Sequence, residues 1–229
     1  MADQLAYHGT GYEVVEQEPP ELLGRNLVSA SYLMAGATAF FFISFLFAYF
    51  YLRSVDSGGM WKPSGVDASV GWGTAVVACY VVSALLVRLG LNDHRALRRD
   101  QWRVKGLVAL VVGVVGLVLQ VIAWTHEGFG PADGGFASVY FGWTAFLFLF
   151  VFGTMLWLEM TLATSFRYRG YVDAGKEAPA GHASGDPGRM AHDIRDPVSL
   201  VRAELAALSF FWTFLAGIAV VSWIVLYLI

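Results

Sequence analysis

Charge is what this chain has least of. Asp, Glu, Lys and Arg make up 14% of its 229 residues, where a water-soluble globular domain carries about a quarter. The charges it does have are clustered, so long neutral runs remain, and 57% of the residues are hydrophobic. So little polar surface cannot clothe a core in water, which excludes a soluble domain, and no nucleic-acid partner is expected. One cysteine, Cys79, lies inside an apolar run, so a disulfide within the chain is excluded. Metal-ligating Cys/His spacings, nucleophile motifs and phosphate-cradling glycine loops are missing. The N-terminus lacks the basic patch and early apolar stretch of a cleaved signal peptide. The first apolar helix is therefore expected to act as the insertion signal.

Five apolar segments are present, at about 26–52, 70–91, 104–125, 138–165 and 204–229. Each is long enough for the roughly 20 helical residues that a bilayer core demands. Strands with open edges are not tolerated in hydrocarbon. The expected fold is all-α: a polytopic membrane protein, a bundle of five transmembrane helices over residues 25–229. A polar, acidic arm of residues 1–24 precedes it and closes on Pro19-Pro20, a pair suited to an extended arm opening a helix. The fourth connection, 166–201, contains AGKEAPAGHASGDPGR and reads as a flexible loop. Asp196-Pro197 reads as the restart into the last helix.

Basic residues in the connections set the orientation. Arg25, Arg88, Arg95, Arg98, Arg99, Arg103, Lys105, Arg167, Arg169, Lys176, Arg189, Arg195 and Arg202 fall on the side of the N-terminus. Only Arg53 and Lys62 fall on the other. Thirteen against two places the N-terminus in the cytoplasm and the C-terminus outside. The third connection, a turn built on Gly128, Gly130, Pro131, Gly134 and Gly135, has no Lys or Arg at all.

Haem iron and copper are held by His, Met, Cys or Tyr within a protected site. The histidines, His8, His94, His126, His182 and His192, lie in the arm, in connections or at a helix end. No haem or copper is expected on this chain. Glu159 is the ionisable residue within an apolar run, a functional candidate by default; the plainer reading pairs it with Arg88, Arg103 or Arg167 near the inner interface. Glu204 reads as a first-turn acid favoured by the helix dipole, and His126 and Glu127 as solvated turn residues. The aromatic stripes of the first and fourth helices read as packing and lipid contact. Small residues such as Ala35, Gly36, Ala37 and Thr38, and Gly106, Gly113 and Gly116, mark faces for close helix or subunit approach.

Three stretches resemble subunit III of the haem–copper cytochrome c oxidases, in the short five-helix bacterial form. They are FFFISFLFAYFYLR (40–53), LQVIAWTHEGFGPADGGFASVYF (119–141) and SFFWTFLAGIAVVSWIVLYLI (209–229). The departures are systematic. The family's Ser-Glu falls at Ala37-Thr38, its two histidines at Leu147 and Phe150, and its closing His, Asp and Trp at Thr213, Ala216 and Ala219. Gln120, Trp124, Thr144 and Trp212 keep the pattern.

The resemblance implies a non-catalytic accessory subunit of a bacterial terminal oxidase, in the plasma membrane. Its partners would be the catalytic subunit I, further respiratory subunits and membrane phospholipids. Haem and copper would sit in the catalytic subunit. Gly36, Thr38, Trp124, Trp143, Glu159, Arg167 and Trp212 are the candidate lipid or subunit contacts; no catalytic, cofactor or metal residue is assigned. A related accessory role beside a nitric oxide reductase stays open. A small transporter or channel would need polar residues converging in mid-membrane.

Overall fold

The computed structural model describes residues 20–56, 58–96, 98–167 and 197–229. His8, His182 and His192, most of the acidic arm and most of the fourth connection lie outside the described residues. Five helices follow in order: α1 (Pro20–Ser54), α2 (Val70–Arg95), α3 (Arg99–His126), α4 (Gly135–Arg167) and α5 (Pro197–Trp223). The chain then closes in a π-helical turn, Ile224–Leu228. All five helices are long and apolar enough to cross a bilayer, with candidate spans of 26 to 32 residues. No strand occurs among the described residues.

The helices outrun the apolar segments that announced them, because helical backbone continues where the chain leaves hydrocarbon. α1 begins at Pro20, within the stretch assigned to the arm. A proline there costs nothing, since the first N–H of a helix has no intrahelical partner. α5 begins at Pro197, at the expected restart but ahead of its apolar run. This corrects the reading of Glu204, which is half-buried about two turns inside the helix and not in its first turn.

α2 and α3 form an antiparallel hairpin, and α3 packs on α4. Although last in sequence, α5 packs against α1, α2 and α4. Trp102, Trp143, Trp212, Tyr140, Leu205, Leu208 and Leu215 are enclosed between these helices. The outside is equally apolar: Phe40 is 76% exposed, Phe47 69% and Met160 68%. Such a surface is stable against lipid and not against water.

Close approach within the bundle rests on small residues, as the α3 glycines suggested. A Cβ on Gly116 would lie 2.7 Å from the Tyr80 ring of α2, and one on Gly106 would lie 2.7 Å from Leu162 of α4. The small half of α1 divides differently. Ser31, Ala35 and Thr38 are buried, whereas Gly36 and Ala37 face outward, and Gly36 has nothing within 4 Å of its would-be Cβ. Hydroxyls in the spans bond to the carbonyl one turn back, as in Thr38 to Met34 at 2.8 Å and Thr154 to Phe150 at 2.7 Å. This satisfies them where no water competes.

Candidate functional site

Polar side chains are scarce, so where they meet is informative. At the end of the bundle that holds the glycine turn, α3 stops at His126 and Gly128 takes a positive φ of 70°, the conformation glycine adopts most easily. The turn directs Glu127 inward. Its Oε1 accepts a hydrogen bond from the Tyr140 hydroxyl at 2.8 Å, and its Oε2 accepts one from the Ser69 backbone N–H at 2.8 Å. Ser69 is the N-cap of α2 and makes no side-chain capping bond of its own. Glu127 therefore caps α2 from a different helix, placing a carboxylate at the positive end of its dipole. The Tyr227 hydroxyl, carried by the π-helical turn, lies 3.1 Å from that of Tyr140. Because Tyr140 donates to Glu127, Tyr227 supplies the proton of this second bond.

Glu127 is thus buried, at 7% exposure, and the expectation of a solvated turn residue is corrected. A glutamate beside a glycine turn looks exposed in sequence; what buries it are partners 58 residues earlier and 13 later. Its neighbour His126 is exposed, as expected, with its ring 5.5 Å from that of Trp72. The first connection also folds onto this end. Gly135 and Phe136 donate backbone N–H groups to the Met60 and Trp61 carbonyls at 3.1 and 2.7 Å. A Cβ on Gly135 would lie 2.9 Å from the Trp61 ring.

A second polar cluster occupies the opposite end. Asp93, 3% exposed, pairs with Arg98 at 2.9 Å and also with Lys105, pinning the α2–α3 link. The Arg103 guanidinium donates to the Ser165 carbonyl at 2.7 Å and to its hydroxyl at 3.3 Å. That carbonyl belongs to the last turn of α4, where carbonyls lack helical partners. Arg103 also pairs with Asp100 at 3.3 Å. His94 is buried here against Trp102, ring to ring at 6.4 Å.

Between the two ends the bundle is laced by tryptophans. Five of the eight donate the indole N–H to a Ser or Thr on another helix. Trp102 bonds Ser165 at 3.1 Å, Trp124 bonds Thr144 at 3.0 Å and Trp143 bonds Ser222 at 2.7 Å. Trp212 and Trp223 reach Ser83 and Thr74 on α2, both at 3.1 Å. Ser83 passes its own proton to the Ala109 carbonyl of α3 at 2.7 Å, so Trp212, Ser83 and Ala109 connect three helices.

Of the candidate contact residues, Trp124, Trp143, Trp212 and Thr38 therefore face partners inside the chain. Gly36 and Glu159 lie on the outer surface, and the Arg167 side chain lies outside the described residues. The expected ion pair of Glu159 is not formed with Arg88 or Arg103. Arg88 is exposed, Arg103 is engaged by Ser165 and Asp100, and Glu159 makes no salt bridge among the described residues. Two grooves mark the outer surface. One, of about 440 Å³, lies between α1 and α5 and includes Phe42, Leu46, Trp143 and Gly217. The other, of about 320 Å³, lies between α3 and α4 and includes Val114, Val118, Phe152, Leu156 and Glu159. Among the described residues, no three His, Cys, Asp or Glu side chains gather as metal ligands would.

These features define a helical membrane protein whose buried polar groups link its helices and whose outer surface is largely apolar. Residues 25–177 match the family Cytochrome c oxidase subunit III, and the chain belongs to that family. The match takes in α1 to α4 and the start of the fourth connection. No curated protein matches the chain. Membership makes it a multi-pass membrane component of an oxidase complex with other subunits.

Four of the positions where the family resemblance places polar residues are built into the packing, whereas Ala37 is exposed and Thr213 half-buried. Leu147, Ala216 and Ala219 are buried in the core. Phe150 lies 5.9 Å from Phe41 and 5.7 Å from Phe42, ring to ring. Carbon fills the sites of both family histidines, and the surrounding aromatics are arranged around it.

Proposed function

We propose that this chain is the non-catalytic subunit III of a bacterial haem–copper terminal oxidase, seated in the plasma membrane with its N-terminus in the cytoplasm. The match over residues 25–177 carries this reading. The apolar packing around Leu147 and Phe150 and the interhelical hydrogen bonds support a scaffolding role. In this reading the chain stabilises the catalytic subunit through turnover and holds lipid against outward surfaces such as Gly36 and the α1–α5 groove. It binds no haem or copper; those centres belong to the catalytic subunit, which carries out oxygen reduction and proton translocation.

The test is purification of the tagged chain from its own membranes in a mild detergent. A haem-bearing subunit is expected in the eluate, with oxygen-consuming activity when an electron donor is supplied. A haem-free monomer would refute the reading. Consumption of nitric oxide in place of oxygen would reassign the chain to a reductase complex.

A further inference from the structure

We infer that the α3–α4 groove is the seat of a transmembrane helix from the haem-bearing subunit, and that this helix brings a lysine or arginine to Glu159. The inference rests on the oxidase-subunit reading above and adds the surface and the contact. Glu159 is exposed on α4 and lies within the candidate span Gly135–Phe166. At about 1.5 Å per residue, it lies about 9 Å deeper than Ser165, where Arg103 marks the interface. A 30 Å hydrocarbon slab centred on α4 covers roughly residues 141–161, so Glu159 falls inside its edge. A carboxylate at that depth, on an outer face, is unfavourable unless a cation or donor meets it. Among the described residues no cation of this chain does.

The surroundings say what kind of partner fits. Every other residue named in the groove lining is apolar, from Leu110, Leu117 and Val121 on α3 to Phe148 and Met155 on α4. Val114, Val118 and Val121 are exposed along the α3 wall, and Phe152 and Leu156 along the α4 wall. An extended apolar trough with one charge inside it matches an apolar helix carrying one basic residue. The trough supplies packing, and the ion pair sets the register. A phospholipid would fill the trough with its acyl chains but brings no side chain that fixes one register, and lipid-only adducts are therefore an outcome of the test.

The experiment uses the complete complex in native membranes. A photoreactive benzoylphenylalanine replaces Leu156, and separately Val118, leaving Glu159 intact. Ultraviolet light is expected to join either variant to the haem-bearing subunit. In parallel, Glu159→Lys is expected to lower the haem recovered per tagged chain at least fivefold, with an unchanged amount of chain in the membrane. Photoadducts only to phospholipid or to a second copy of this chain, in preparations that still recover haem, would overturn the inference alone. So would wild-type haem recovery with Glu159→Lys. Failure of the unmodified chain to recover any haem would bring down the oxidase-subunit reading and this inference with it.

Discussion

Glu127, at the end of α3, and Tyr140, one turn into α4, are joined across the glycine turn by a 2.8 Å hydrogen bond. The other carboxylate oxygen caps α2 through the Ser69 N–H. One side chain therefore fixes the relative position of three helices, and Tyr227 extends the link to the end of the chain.

The consequence is measurable. Glu127→Ala leaves the Ser69 N–H uncapped and the Tyr140 hydroxyl without its acceptor, and an unmet buried donor costs about 1–3 kcal/mol. The melting temperature in detergent should fall clearly. Glu127→Gln keeps a carbonyl oxygen for one donor and should fall less. An alanine variant that melts with the wild type would show that the network contributes nothing to stability.

The glycines make a paired prediction. Gly116→Val adds carbon where a Cβ already lies 2.7 Å from the Tyr80 ring. Forcing α2 and α3 apart should cost about 1–3 kcal/mol, the usual range for overpacking. Gly36→Ala meets nothing within 4 Å and removes the entropic cost of a mid-helix glycine, about 0.5–1 kcal/mol. The isolated chain should be unchanged or slightly more stable. Thermal melts of the two variants side by side decide it; equal losses would mean that helix spacing is not set by these glycines.

The spans were readable in the sequence because lipid imposes a minimum apolar length, and nothing subtler is needed to find them. Their ends were not. Hydropathy falls silent at the interface while the helix goes on, which is why α5 starts at Pro197 and Glu204 lies inside it. Small residues on α3 announced close packing, but which neighbour each one meets depends on the rotation of whole helices. Trp212 and Ser83 are 129 residues apart, and no local pattern links them. The same blindness misplaced Glu127. Glu159 shows the same limit: Arg88 and Arg103 were candidate partners by sequence, and the packing turns Arg103 to Ser165 and Asp100 instead. The family, by contrast, was legible because its motifs are local runs of sequence, in α1 and in the turn between α3 and α4, that can be read without knowing how the helices pack.

At the opposite end, Asp93 is the residue to remove. Its carboxylate is nearly inaccessible and meets two cations, Arg98 and Lys105. A fully buried pair that loses one partner costs about 3–5 kcal/mol. Here the cations stand 57% and 35% exposed, so they return to water when the acid is gone. Asp93→Ala should therefore cost nearer to about 1–2 kcal/mol. Charge reversal to Lys should do more damage than Ala, by repulsion within the short α2–α3 link. Denaturation of both variants in detergent is the measurement, and a lysine variant as stable as alanine would argue against an electrostatic role.

The proposed orientation gives a prediction that needs no partner. It rests on the thirteen basic residues that the connections put on one side against two on the other, since loops rich in Lys and Arg favour the cytoplasm. Ala132, in the turn between α3 and α4, and Ala96, in the link between α2 and α3, are both exposed and lie at opposite ends of the bundle. The native thiol, Cys79, sits within a span and can be removed as Cys79→Ala. In that background, Ala132→Cys should react with a membrane-impermeant maleimide through the outer face of the plasma membrane, while Ala96→Cys should react only after the membrane is opened. The two positions test each other, because an inverted protein must exchange their behaviour. Labelling of Ala96→Cys from outside, with Ala132→Cys protected, would reverse the orientation and place the basic link beyond the membrane.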